Sequence, residues 1–108
     1  LDLDATQRLA QAEALSKALA AKPGVPLILC GDFNDVPNSP AIKVFSETLK
    51  AVAKKEPALT CPADKPDTEI DHVFLRSMEP AGPVTVLPEA VASDHRPLLV
   101  EIKVPMRN

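Results

Sequence analysis

No stretch of this sequence is long and apolar enough to span a membrane, and its start lacks the pattern of a secretory signal. No basic run stands out either. Twelve Lys and Arg are scattered against fifteen Asp and Glu, for a net charge of −3. Proteins that grip nucleic acid by neutralising phosphates show a basic face. Its lack argues against a non-specific nuclease, although nucleic acid stays open as a partner. Cys30 and Cys61 are the only cysteines and form no Cys-x-x-Cys pair. That excludes a disulfide framework, and with two histidines at these spacings no structural zinc site is matched. Compartment is left undecided. Tryptophan and tyrosine are missing, as are repeats, low-complexity tracts and an initiator methionine. The chain opens at Leu1 and reads as a segment of something longer.

The remaining composition is that of a globular domain: 108 residues, 45% hydrophobic and 25% charged, enough for one small core. Twelve prolines fall between the apolar runs and mark turns rather than disorder. The spacing of Leu9, Ala12, Leu15 and Leu19 predicts an amphipathic helix over Asp4–Ala21, capped by Asp4 and stopped by Pro23-Gly24. Val25–Cys30 follows as an apolar run without alternation, the pattern of a strand buried on both faces, with Cys30 packing inside it as a small hydrophobe. Ser39-Pro40 opens a second helix, expected to run to Lys54-Lys55. Short strands are expected over Ile70–Arg76 and Val84–Leu87, and a half-buried one over Pro97–Val104. Helix, tight turn and buried strand is α/β grammar.

Three stretches carry chemistry. Gly31-Asp-Phe-Asn34 stands at the carboxyl end of the first strand, where open α/β sheets hold ligands. Asp32 and Asn34 are two residues apart, so on an extended backbone both leave the same face. They offer oxygen ligands to a hard cation or an activated water. Turn chemistry alone also explains Asp and Asn at a strand end. An EF-hand does not: counted from Asp32, Val36 stands where an oxygen ligand is needed, Pro37 where glycine is needed and Lys43 where glutamate is needed. The second stretch is Ile70-Asp-His-Val-Phe74 and the third Ser93-Asp-His-Arg-Pro97. Adjacent residues of one loop cannot converge as a Ser-His-Asp triad, and no Gly-x-Ser-x-Gly elbow is present. If their strands are neighbours, however, Asp71 can hold the His95 ring cationic beside a phosphate. His72 points away from Asp71 and has a packing role.

These motifs, in this order, resemble the endonuclease/exonuclease/phosphatase (DNase I-like) superfamily, whose members include DNase I, apurinic endonucleases and inositol-polyphosphate 5-phosphatases. The resemblance implies an α/β fold: residues 1–108 as the C-terminal half of a four-layer sandwich of two mixed β-sheets with outer helices. It implies a Mg²⁺-dependent (or Mn²⁺-dependent) phosphoester hydrolase, a phosphodiesterase or nuclease by reaction type, in which water attacks phosphorus directly. Asp32 then orients or deprotonates the water, and Asn34 contacts the scissile phosphate. Asp71 and His95 stabilise the transition-state charge. Asp94, with Asp32 and Asn34, stands at the metal. Thr60-Cys-Pro62 resembles the family's Thr-x-Pro loop on the substrate side. The upstream asparagine, glutamate and Thr-His of the family have no counterpart here, so the missing half is an expected partner, and the segment alone is expected to be inactive. The competing reading is a non-catalytic binding module of the same fold. Substrate class stays open.

Overall fold

The computed structural model describes residues 1–104, which form two helices and seven short strands. Helix α1 (Ala5–Ala20) begins at Asp4, whose carboxylate accepts the Gln7 N–H, and carries Ala12 fully buried with Leu15 and Leu19 beside it. After the turn at Gly24 (φ +79°), strand β1 (Leu27–Asp32) enters the sheet. Helix α2 (Pro40–Ser46) is capped by the Ser39 hydroxyl, which accepts the Ile42 N–H at 3.2 Å. Strands β2 (Lys50–Ala51) and β3 (Asp71–Arg76) complete a three-stranded antiparallel sheet in the order β1-β3-β2. Two antiparallel pairs follow. β4 (Glu79–Pro80) pairs with β7 (Ile102–Lys103), and β5 (Thr85–Val86) with β6 (Leu98–Leu99). The architecture is mixed α/β, but among the described residues the expected mixed strand pairing is confined to one parallel bridge between Lys54 and Val84.

Alternation along β3 divides the core in two. Phe74 faces the helices, in a cluster with Ala12, Phe33, Ala41, Ile42, Phe45 and Leu49. Val73 and Leu75 face the opposite way and pack with Val52 and Val84, flanked by Leu98, Val100 and Ile102. The chain's three phenylalanines all meet in the first cluster: Phe33–Phe45, Phe33–Phe74 and Phe45–Phe74 centroids lie 5.4, 5.5 and 5.6 Å apart. Arg76 ties β3 to the end of α1, its guanidinium donating to the carbonyls of Leu19, Lys22 and Val25. Among the described residues no helix is long and apolar enough to cross a membrane.

Four expectations are corrected. β1 is not covered on both faces: Leu27 and Leu29 turn to the helices, whereas Ile28 is 50% exposed and Cys30 is exposed rather than packed. Its even-numbered residues face a shallow apolar groove with Leu98 and Val100, and no described element covers them. Helix α2 stops at Ser46 instead of near Lys54. Leu49 and Val52 are needed in different clusters, and only an extended path past β3 delivers both. The single strand expected over Pro97–Val104 is two strands with different partners, and Val104 is 75% exposed. The strand expected over Val84–Leu87 shortens to Thr85–Val86.

Candidate active site

The site forms where β1 and β3 end together. The antiparallel register sets Asp32 directly opposite Asp71, and directly opposed residues share a face. The two carboxylates therefore project to the side away from the helices. Between Asp32 and Asn34, Phe33 turns inward, 4% exposed, into the aromatic cluster. Its burial anchors the polar residues on either side. Gly31 (φ +144°) and Asn34 (φ +52°) bracket that turn, each with positive φ. A left-handed asparagine is tolerated where its side chain or main chain is held locally. Here Asp32 Oδ1 accepts the Asn34 N–H at 2.8 Å, and the Asn34 amide nitrogen donates to the Leu1 carbonyl.

His95 closes the constellation from a third segment. Its Nδ1 lies 2.8 Å from Asp71 Oδ2 and its Nε2 lies 3.5 Å from Asp32 Oδ2. A carboxylate accepts only, so Nδ1 carries a proton toward Asp71. The hydrogen bond to Asp71 raises the His95 pKa. Burial opposes the rise, and the negative charges of Asp71, Asp32 and Asp94 add to it. Asp32, Asp71 and His95 can each offer one ligand atom within 4.8 Å of the others. Asp94 is outside this three-membered group. Its side chain is exposed and accepts from the Ser93 hydroxyl at 3.4 Å, while its carbonyl accepts the Ala63 N–H. Of the five residues singled out by sequence, the structure thus gathers Asp32, Asp71 and His95 tightly. Asn34 adjoins Asp32, and Asp94 stands at the rim.

Behind the site, His72 is 5% exposed, packed beside Phe33 as its packing role requires. Its Nε2 lies 2.7 Å from the Asp35 carbonyl, which can only accept, so Nε2 donates. Nδ1 is then free to accept from the Lys54 ammonium at 2.8 Å, and Lys54 also donates to Glu69 at 2.8 Å. Burial lowers the His72 pKa. Cys61 borders the site, where burial first and then Asp94, Asp71 and Asp32 push its thiol pKa up. It is poorly disposed to act as a nucleophile. Thr60 escaped the sequence reading as a site residue. It is fully buried and its hydroxyl donates to Asp71. The one available signal was its place in the Thr-x-Pro element.

The two histidines give a direct test. Both start from an ordinary value of 6.5, and His95 is expected to titrate above it and His72 below it. Their contributions to stability vary with pH in opposite directions. That of His95 is fully present below 6.5 and is lost as pH rises through its elevated folded-state value. That of His72 is present above 6.5 and is lost as pH falls through its depressed folded-state value. Nuclear magnetic resonance titration of the two rings checks this, and the reverse order of midpoints would contradict the site electrostatics.

The crystal structure of a functionally unknown conserved protein from Enterococcus faecalis V583 superposes on this fold with a TM-score of 0.81 at 24% identity. The match covers 95% of this chain and 47% of that one, so the chain spans about half the length of its structural neighbour. No curated protein sequence matches it. A family profile described as Endonuclease/Exonuclease/phosphatase matches residues 1–95, which include every residue of the constellation. With that match over most of its length, this chain belongs to the endonuclease/exonuclease/phosphatase family.

Proposed function

We propose that this chain carries the C-terminal half of a Mg²⁺-dependent phosphoesterase site, in a four-layer sandwich completed by another half-domain. The observation that carries the reading is the line Asp71–His95–Asp32, with contacts of 2.8 and 3.5 Å at one sheet end. A phosphoester is anionic and repels nucleophiles, so hydrolysis needs a positioned base and a cationic donor. His95, held protonated by Asp71, presents Nε2 to a phosphate oxygen and stabilises the charge that grows there. Asp32, whose side chain is 40% exposed, accepts a proton from the attacking water and orients it. Asn34 steers the substrate phosphate from the adjoining turn.

The donor set fits a hard divalent cation. Asp71 Oδ2 already receives two hydrogen bonds, whereas Asp32 is open to solvent. Mg²⁺ is commonly held by one or two carboxylates plus water and substrate oxygens. Asp32, with Asn34 and Asp94 at the rim, would hold Mg²⁺ or Mn²⁺. The ion would supply Lewis-acid neutralisation of the phosphate. Phosphodiesters and phosphomonoesters are both compatible with these residues.

The uncovered face of β1 makes a companion demand. Ile28 and Cys30 stand exposed over an apolar groove with Leu98 and Val100, the kind of surface a partner normally covers. The isolated chain is expected to self-associate and to be inactive on bis-p-nitrophenyl phosphate with Mg²⁺ or Mn²⁺. Joining it to the first half of the domain should yield monomeric, metal-dependent turnover. Ultracentrifugation and the same assay decide between the outcomes. A monomeric chain that turns over unaided overturns the half-site reading. Failure of a well-folded joined protein with both metals overturns the phosphoesterase reading and favours a binding module.

A further inference from the structure

Thr60 has no exposed surface, and a buried hydroxyl is costly unless it is hydrogen-bonded. All three of its polar groups are used. The hydroxyl donates to Asp71 Oδ2 at 2.5 Å, the same oxygen that faces His95 Nδ1 at 2.8 Å. The N–H donates to the Thr68 carbonyl at 2.8 Å, and the carbonyl accepts the Arg96 N–H at 2.7 Å. Three residues on, the contact is repeated in both directions. Ala63 N–H donates to the Asp94 carbonyl at 2.7 Å, and Arg96 Nε donates to the Ala63 carbonyl at 2.7 Å. The segment after Thr60 is thus laced to the segment that carries His95, while the Thr60 side chain reaches the carboxylate on β3.

We infer that Thr60 is the positioning residue of the Asp71–His95 pair, its hydroxyl orienting the carboxylate and its carbonyl holding the backbone just beyond the imidazole. The physical need is rotational. The terminal torsion of an aspartate is broad, and a carboxylate offers about four acceptor sites. With His95 as its sole partner, Asp71 can turn and present either oxygen, and the imidazole follows. A second donor on Oδ2, from a β-branched side chain with few rotamers, fixes the carboxylate plane. His95 Nε2 is then directed toward Asp32, 3.5 Å away. The catalytic consequence rests on the phosphoesterase reading, but the positioning itself does not.

Thr60→Val keeps the shape and removes the hydroxyl; Thr60→Ser keeps the hydroxyl and removes the methyl. Thr60→Ala serves as the hydroxyl-free variant should valine fail to fold. The first readout is the proton resonance of His95 Nδ1–H in the ¹⁵N-labelled 108-residue chain. The parent and Thr60→Ser should show it downfield and slow to exchange with solvent, and the hydroxyl-free variant should lose it. The second readout is turnover in the joined protein. There the hydroxyl-free variant should lose roughly tenfold or more in kcat, the scale of one hydrogen bond to a charged group. KM should change little, and Thr60→Ser should restore most of the rate. A purely structural threonine would lower the melting temperature while leaving signal and kcat in place, and that result overturns the inference. If the parent shows no turnover, the loss falls on the phosphoesterase reading, and the resonance alone decides the role of Thr60.

Discussion

Replacing His95 by alanine in the joined protein is expected to cut phosphodiester turnover by at least roughly a hundredfold, the usual scale for losing a transition-state donor or a general base. Asp32→Asn should cost a similar factor, since the amide keeps the shape but cannot take a proton from water. Neither change should disturb the fold. The side chains are 24% and 40% exposed, and both stand beyond the core clusters. Removing His95 leaves Asp71 with its Thr60 hydrogen bond, so no buried carboxylate is stranded without a donor. The measurement is kcat on bis-p-nitrophenyl phosphate at saturating Mg²⁺, with circular dichroism to establish folding. Full activity in either folded variant would remove that residue from the mechanism.

The opposite dissociation is expected at Phe74. Its side chain is 1% exposed and touches both other phenylalanines of the chain. Phe74→Ala should destabilise the domain by about 3–5 kcal/mol, from lost transfer energy and the cavity left behind. A domain of this size has roughly 5–15 kcal/mol in total, so a large share of its stability is at stake. The melting temperature should fall by well over about 10 °C. Phe33 completes the same cluster and sits between Asp32 and Asn34, so a loosened core also loosens the site. Thermal unfolding of Phe74→Ala beside His95→Ala checks the pair. A Phe74→Ala protein melting within a few degrees of the parent would show that the aromatic cluster is not the core of the domain.

Much of the helix and strand pattern was legible because it is local. The Leu9-Ala12-Leu15-Leu19 spacing and the Asp4 cap are contained in one segment, and α1 forms within a residue of its expected bounds. β3 begins one residue later than expected and ends at the same Arg76. The misreadings arise where neighbours elsewhere in the chain decide. Residues 47–55 contain good helix formers, yet Val52 donates to the Val73 carbonyl at 2.9 Å and Lys54 reaches His72 and Glu69. Pairing with β3 overrides the local preference. The apolar run Leu27–Cys30 reads the same whether one face or two are covered, because periodicity reports residue type and not the partner that arrives.

What the sequence determined by itself is the inventory: which polar residues stand at strand ends, and the family to which three ordered motifs belong. Asp32, Asn34, Asp71, Asp94 and His95 could all be singled out without coordinates, because they stand in three motifs whose order resembles that of the family; singly, each also has a structural use in a turn or loop. Tertiary structure alone decided their distances. The pairing of Asp32 with Asp71 joins residues 39 apart through a register that no single segment encodes. The same register aims both carboxylates at one face, where His95 can reach them. It also sends His72 to the opposite side, to Lys54 and the Asp35 carbonyl, while Thr60 reaches Asp71 from the loop before β3. Side chains two residues apart on a strand share a face by geometry. Side chains on different strands meet only where backbone pairing and core packing place them, and those depend on the whole chain at once.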